Sequence, residues 1–230
     1  GWTVSMVSQG FQEDPNSTGG GLTKTGSGTF YLDNYNSFSG TTLVNSGTLA
    51  GVGTISGPVV VAPSGHLGAG DAGAVVSLPL YINNGLTMQG TATFRVSYNS
   101  SVAQSDQISG LTNINYSGTL IINNVTTDGS SLANATFQLF NLNSGATTHG
   151  NFASIVGTPG TGLTYSFNPA SGVLSVVTGS VGPSGLEHLT NSYSGGVLSL
   201  SWPAGENWRL QMQTNSLSIG LGTNWQYLTD

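Results

Sequence analysis

The chain has 230 residues, no Cys, 35 Gly and a net charge of −6, with charged side chains making up only 5% against about 25% in ordinary globular domains. Lys24, Arg95 and Arg209 are its whole basic complement, too few to track a phosphate backbone, which excludes nucleic-acid binding; without Cys there is neither a disulfide framework nor a thiolate metal site. No run approaches the ~20 consecutive apolar residues of a helical membrane span, and the shortage of Lys, Glu and Arg predicts an all-β chain wetted by Ser, Thr and Asn.

Residues 1–11 alternate, with Trp2, Val4 and Met6 on one side and Thr3, Ser5 and Val7 on the other, which predicts a strand. Two roles are open for it: a cap over the first coil of a solenoid, the favoured one, or an arm that pairs with another subunit. Residues 12–21, QEDPNSTGGG, carry the turn residues of a linker. The start at Gly1, with no Met and no signal peptide, is the start expected of a processed secreted product.

From residue 40 to 70 a short unit recurs. Gly47-Thr48-Leu49, Gly53-Thr54-Ile55 and Gly65-His66-Leu67 are spaced by six and twelve, with Pro58-Val59-Val60-Val61 in the missing slot. Strands of two or three residues cannot bury their own faces, but coils stacked on one another share one core and one hydrogen-bond ladder, so the spacing predicts a β-solenoid. Gly28, Gly47, Gly53 and Gly65 are expected at its corners, Gly53 and Gly65 through positive φ.

The order of residues from Gly21 to Gly70 also carries a resemblance. Gly-Leu-Thr-Lys at 21–24, Gly26, Gly28-Thr29, Leu32, Asn36, Gly40, Thr42, Val44, the Gly-Thr-Leu at 47–49, the Gly-Thr-Ile at 53–55, Gly57-Pro58-Val59, Val61, Gly65, Leu67 and Gly70 form a pattern similar to the autotransporter-associated β-strand repeat (PATR type). The resemblance implies a right-handed parallel β-helix on a large secreted or surface-displayed bacterial protein, with a structural or adhesive role and no known catalytic motif. Phe30-Tyr31, Tyr35 and Phe38 make this stretch richer in aromatics than the pattern, and they mark its exposed face as a candidate interaction surface.

Between residues 71 and 180 short alternating strands continue, for example Phe94, Val96 and Tyr98 against Thr93, Arg95 and Ser97. Further coils, a widening of the solenoid and a sandwich-like cap all fit. The segments around Ser105–Gly110, Phe137–Phe140 and Gly150–Phe152 also resemble the region C-terminal to such repeats in long surface proteins of planctomycete and verrucomicrobial type. Residues 181–185, VGPSG, form a linker to a small β-module at 186–230. Its Trp202, Trp208 and Trp225, like Trp2 at the other end, are candidate contact residues. For the three in the module, forming the core of a small domain is favoured over a sugar-stacking platform. The resemblance implies a further strand and an anchoring signal after Asp230.

Chemistry-bearing residues are scattered. A β-helix lyase or hydrolase needs clustered carboxylates, whereas Asp33, Asp71, Asp106 and Asp128 each stand alone in a Gly/Asn/Ser turn, where an Asp side chain bonds the nearby backbone. His66, His149 and His188 have no metal-ligand spacing, no Ser has a Gly-x-Ser-x-Gly setting, and the Gly-rich stretches lack Gly-Lys-[Ser/Thr]. Sequons at Asn16, Asn99, Asn115, Asn124 and Asn134 are expected by chance in so Asn- and Thr-rich a chain; a bacterial source, which the resemblance implies, makes O-linked sugars the modification to expect.

Two functions are consistent with these residues. The first is a non-catalytic extracellular, cell-surface structural or adhesive solenoid, without cofactor, that self-associates as a homo-oligomer or filament through unblocked strand edges. The alternative is a carbohydrate-binding or polysaccharide-cleaving β-helix whose partner is a polysaccharide or cell-surface glycan.

Overall fold

The computed structural model describes residues 3–6, 10–14, 16, 19–71, 78–178, 190–201, 211–212 and 226–227. Its contacts divide the chain into two units, Gly1–Ser180 and Val181–Asp230. Trp2, Trp202, Trp208, Trp225, His188 and the 181–185 linker lie outside the described residues.

Every regular element described is a strand. In the first unit these are β1 (Thr3–Met6), β2 (Leu22–Lys24), β3 (Thr29–Leu32), β4 (Tyr35–Asn36), β5 (Thr42–Val44), β6 (Gly47–Ala50), β7 (Thr54–Ile55), β8 (Val59–Val61) and β9 (Gly65–Gly68). After residues 71–79 come β10 (Leu80–Ile82), β11 (Gly85–Met88), β12 (Thr91–Asn99), β13 (Val102–Ser105), β14 (Ile108–Tyr116) and β15 (Thr119–Asn124). The unit ends with β16 (Thr136–Gln138), β17 (Phe140–Gly150), β18 (Ser154–Val156), β19 (Leu163–Asn168) and β20 (Val173–Thr178).

These strands stack as a parallel β-helix with three sides. The first side is the ladder β1-β3-β6-β9-β12-β15-β18; the second runs β2-β5-β8-β11-β14; the third runs β4-β7-β10-β14. Successive coils visit the sides in the same order, and in-register positions carry the same kind of residue. Phe30, Leu49, Leu67, Ala92, Leu120 and Ile155 form one inward column, and Val44, Val61 and Met88 form another. All of these but Phe30 and Ile155, which are partly buried, are sealed in a core shared with Leu32, Ile55, Leu80 and Ile82. Each such Leu, Ile or Val contributes about 1.5–3 kcal/mol on burial, a gain no isolated three-residue strand could realise.

The sequence repeat maps onto this geometry with one refinement. Gly47-Thr48-Leu49 and Gly65-His66-Leu67 stack directly on the first side, while Gly53-Thr54-Ile55 lies on the third side and Val59–Val61 on the second. One repeat unit is therefore one side of a coil, and three make a turn.

The corner glycines differ from expectation in their reason. Gly47 has φ +68°, but Gly53 and Gly65 are not in the left-handed region. They are required by stacking: a Cβ on Gly53 would run into the carbonyl oxygen of Asn34, and one on Gly65 into that of Val44 in the coil beneath. Gly28 likewise has no positive φ; its carbonyl accepts the amide of Thr48 in the next coil.

The two ends of the first unit are built differently. β1 pairs in parallel with β3 of its own chain, Thr3 beside Thr29 through Met6 beside Leu32. Phe11, in the stretch expected as a strand, is bonded to the coil of β4: Ser37 donates its amide to Phe11 O at 2.9 Å, and Phe11 donates to Asn36 Oδ1 at 2.9 Å. Glu13 accepts the amides of Gly20 and Ser39 at 2.7 and 3.0 Å, and these bonds, led by that from Gly20, hold its carboxyl below the usual range. At the other end the solenoid widens. β14 and β17 each run across two sides, with irregular register after Ser109 and Leu111 and φ +86° at Gly110. An antiparallel sheet, β16-β20-β19, comes next, and a ring cluster of Phe94, Tyr116, Phe140, Phe152 and Phe167, with centroids 5.0–6.0 Å apart, fills this end of the core. Of the readings open for residues 71–180, further coils and a widening both occur, and the antiparallel sheet is interleaved with them, since β16 precedes β17 and β18 along the chain. The described part of the second unit comprises two antiparallel pairs, β21 (Thr190–Ser194) with β22 (Val197–Ser201) and β23 (Gln211–Met212) with β24 (Gln226–Tyr227).

Candidate functional site

Side chains on a strand alternate between faces, so the residues flanking the inward column of the first side point outward. One outward column reads Thr29, Thr48, His66, Thr91, Thr119 and Ser154, stacked in register. The parallel column two residues on reads Tyr31, Ala50, Gly68 and Thr93, with Tyr31 beside Ala50 and Gly68 beside Thr93. The Cβ of Ala50 lies 3.3 Å from where Gly68 would carry one. A large residue, a methyl, a bare backbone and a mid-sized residue in succession leave a notch two strands wide in an otherwise even face.

The notch encloses about 330 Å³. Tyr31 lines one end and Thr93 the other; His66 and Thr48 line one flank, and Asp71, Arg95 and Asp106 the opposite one. A second depression of about 480 Å³ adjoins it through the shared Thr48 and His66 and adds Ser27, Ser46 and Ser64.

The Arg95 wall is a built feature. β12 overruns the coil and turns back as β13, Val96 pairing with Ser105; the turn places Ser100 and Ser101 at φ +51° and +65°. This hairpin brings Asp106, 1% exposed, against Arg95, 20% exposed. Asp106 accepts Arg95 Nε at 2.7 Å, one Nη at 3.0 Å and the Arg95 amide at 3.0 Å. The hydrogen bonds to Asp106 raise the Arg95 guanidinium above its ordinary value, more than burial lowers it. Its charge is thus neutralised by a fixed partner, and its plane is set at the edge of the notch.

The residues singled out in the sequence are dispersed. Tyr31 lines the notch. Tyr35 stands 57% exposed on the third side, where its register neighbour is Thr54 and the next in line is Tyr81, 43% exposed. Phe38 corrects the expectation of an aromatic surface: it is 6% exposed and belongs to the core. His66 is at the notch, whereas His149 is exposed on β17. Asp33 accepts the amide of Val52 at 3.3 Å, in the coil above, and exposed Asp128 accepts those of Ser100 and Ser130 at 2.6 and 2.9 Å, which holds its carboxyl below the usual range. Asp106 departs from the turn reading, being a buried ion-pair partner. The alternation that set Arg95 on the face opposite Phe94, Val96 and Tyr98 carries part of its signal, but the pairing depends on the hairpin's register.

The segment that supplies Tyr31 and Thr48 has its own signature. Lys24 is buried on β2, where its ammonium donates to the carbonyls of Thr25, Gly26 and Ser46 at 2.9, 2.8 and 3.1 Å and so ties one corner to the next. Asn36, fully buried, accepts from Phe11 and donates to Asn34 O and Thr54 O at 2.7 and 3.0 Å.

Residues 22–50 match the family model described as Passenger-associated-transport-repeat.

The matched repeat spans β2 to β6, one full coil and the start of the next, and includes both Lys24 and Asn36. His66, Thr93, Arg95 and Asp106 lie beyond it, so the notch is formed where the repeat meets the succeeding coils. No curated protein matches the chain.

Proposed function

We propose that this protein is a non-catalytic extracellular structural element of the autotransporter-passenger kind, whose β-helical first unit has an adhesive or assembling role at the cell surface. The observation that carries this reading is the uninterrupted parallel ladder of seven strands on the first side, of which β3 and β6 lie within a passenger-associated repeat, clad in Thr and Ser in place of charges. Among the described residues the outermost strands of that ladder, β1 and β18, each have a single ladder partner. Such edges support self-association by strand addition, and a head-to-tail contact that does not close generates a filament. Negative-stain electron microscopy of the purified protein at rising concentration tests this. End-to-end rods are the expected outcome, and uniformly monomeric particles count against assembly. Release of reducing ends from acidic polysaccharides would overturn the non-catalytic part.

A further inference from the structure

We infer that the notch on the first side is a binding site for one pyranose ring of a neutral glycan. The inference does not depend on whether the rod assembles. The floor is Ala50 and Gly68, which offer a small apolar patch and bare backbone. Strands lie about 4.8 Å apart, so Tyr31 and Thr93, three strands apart, leave roughly 14 Å between their backbones, room for one ring with its substituents but not for a helix or a packed sheet. Tyr31 supplies an aromatic surface at one end, the group on which the C–H face of a sugar packs. Around the rim stand the mixed donors and acceptors that a ring of hydroxyls needs: Thr93, His66 and the guanidinium of Arg95.

The charge balance selects neutral sugars. The one guanidinium at the rim is matched by Asp106 at 2.7 Å, and Asp71 adds a further carboxylate on the same flank. Among the described lining residues the guanidinium thus faces two carboxylates, and this excess of negative charge on the flank disfavours a uronate or sulfated sugar. The adjoining Ser-lined depression, joined through Thr48 and His66, lets a chain continue past the bound ring, so the class is an oligosaccharide and not only a free monosaccharide. Placing the site on strands, with its one charged wall fixed by a buried partner, preorganises it.

The test uses the full chain and saturation-transfer NMR with methyl glucopyranoside, methyl galactopyranoside, methyl mannopyranoside and methyl glucuronide as separate probes. Saturable binding of at least one neutral glycoside, with the glucuronide weaker, is expected. Two variants localise it: Thr93→Trp fills the notch from a strand position that accepts aromatics, and Tyr31→Ala removes the aromatic wall. Each should weaken binding roughly tenfold or more while the far-ultraviolet dichroism stays that of the parent. If one variant does not fold, the other decides. Absence of binding by all three neutral glycosides, unchanged affinity in a folded variant, or preference for the glucuronide each overturns the inference. Loss of binding with intact rods in the microscope separates this site from the structural role.

Discussion

Arg95 and Asp106 face each other across the base of the β12–β13 hairpin, with guanidinium Nε 2.7 Å from Asp106 Oδ2 and the Arg95 amide bonded to the same oxygen. The carboxylate is essentially sealed from water while the guanidinium keeps one edge at the notch. In such a pair the cost of desolvating two charges is offset only while both partners remain. Arg95→Met should therefore lower unfolding free energy by about 3–5 kcal/mol, whereas Arg95→Met combined with Asp106→Leu should recover most of that loss. Urea titration of the two variants checks it, and equal losses would show that the pair contributes through its shape alone.

The corner glycines separate two kinds of requirement. Gly26 has φ +73° with open space where a Cβ would go, so Gly26→Ala should cost about 1–2 kcal/mol of backbone strain. Gly65 has no unusual φ but sits against Val44 O, and Gly65→Val forces adjacent coils apart. We expect it to cost more than Gly26→Ala in thermal unfolding; the reverse order would mean that torsion and not stacking selects these residues.

Tyr116 and Tyr165 place their hydroxyls in the buried end of the helix with no hydrogen-bond partner among the described residues. Burial raises both, that of Tyr165 to about 12. A phenol whose folded value lies above its unfolded value of about 10 keeps its proton in the native state after the unfolded chain has lost it. Its contribution is complete below about pH 10 and is lost as pH climbs toward 12, so unfolding should set in over that interval. Tyr116→Phe with Tyr165→Phe removes groups that satisfy no bond; stability at neutral pH should be unchanged or higher, and the alkaline limb should move upward in a pH-jump dichroism experiment.

Asn36 connects the N-terminal segment to the first full coil through three bonds made from a fully buried side chain. Asn36→Ala leaves Phe11 N and Thr54 O without that partner, at about 1–3 kcal/mol for each group kept from water, while Asn34 O keeps the amide of Thr54. Hydrogen exchange should show the amides of residues 10–13 opening first, well before β8 and β11.

Glycine-punctuated Thr, Val and Leu at short intervals determined that strands would stack in parallel coils, because such units cannot be stable alone and every inward position needs a like neighbour above and below. Lys24 and Asn36 were visible as members of the matched pattern, but not as polar groups that satisfy the carbonyls of corners one coil away. Phe38 could not be assigned from sequence, since in a coil of three short sides a bend of one residue moves a side chain from surface to core. The same holds for the notch. Tyr31, Gly68, Thr93 and Arg95 are remote along the chain and unremarkable in composition, and only coil stacking brings them together on one outward face. The Arg95–Asp106 wall needed the hairpin register as well. Local periodicity decides that coils form; which distant residues become neighbours depends on how many residues each coil inserts at its corners, and the tertiary structure alone settled that.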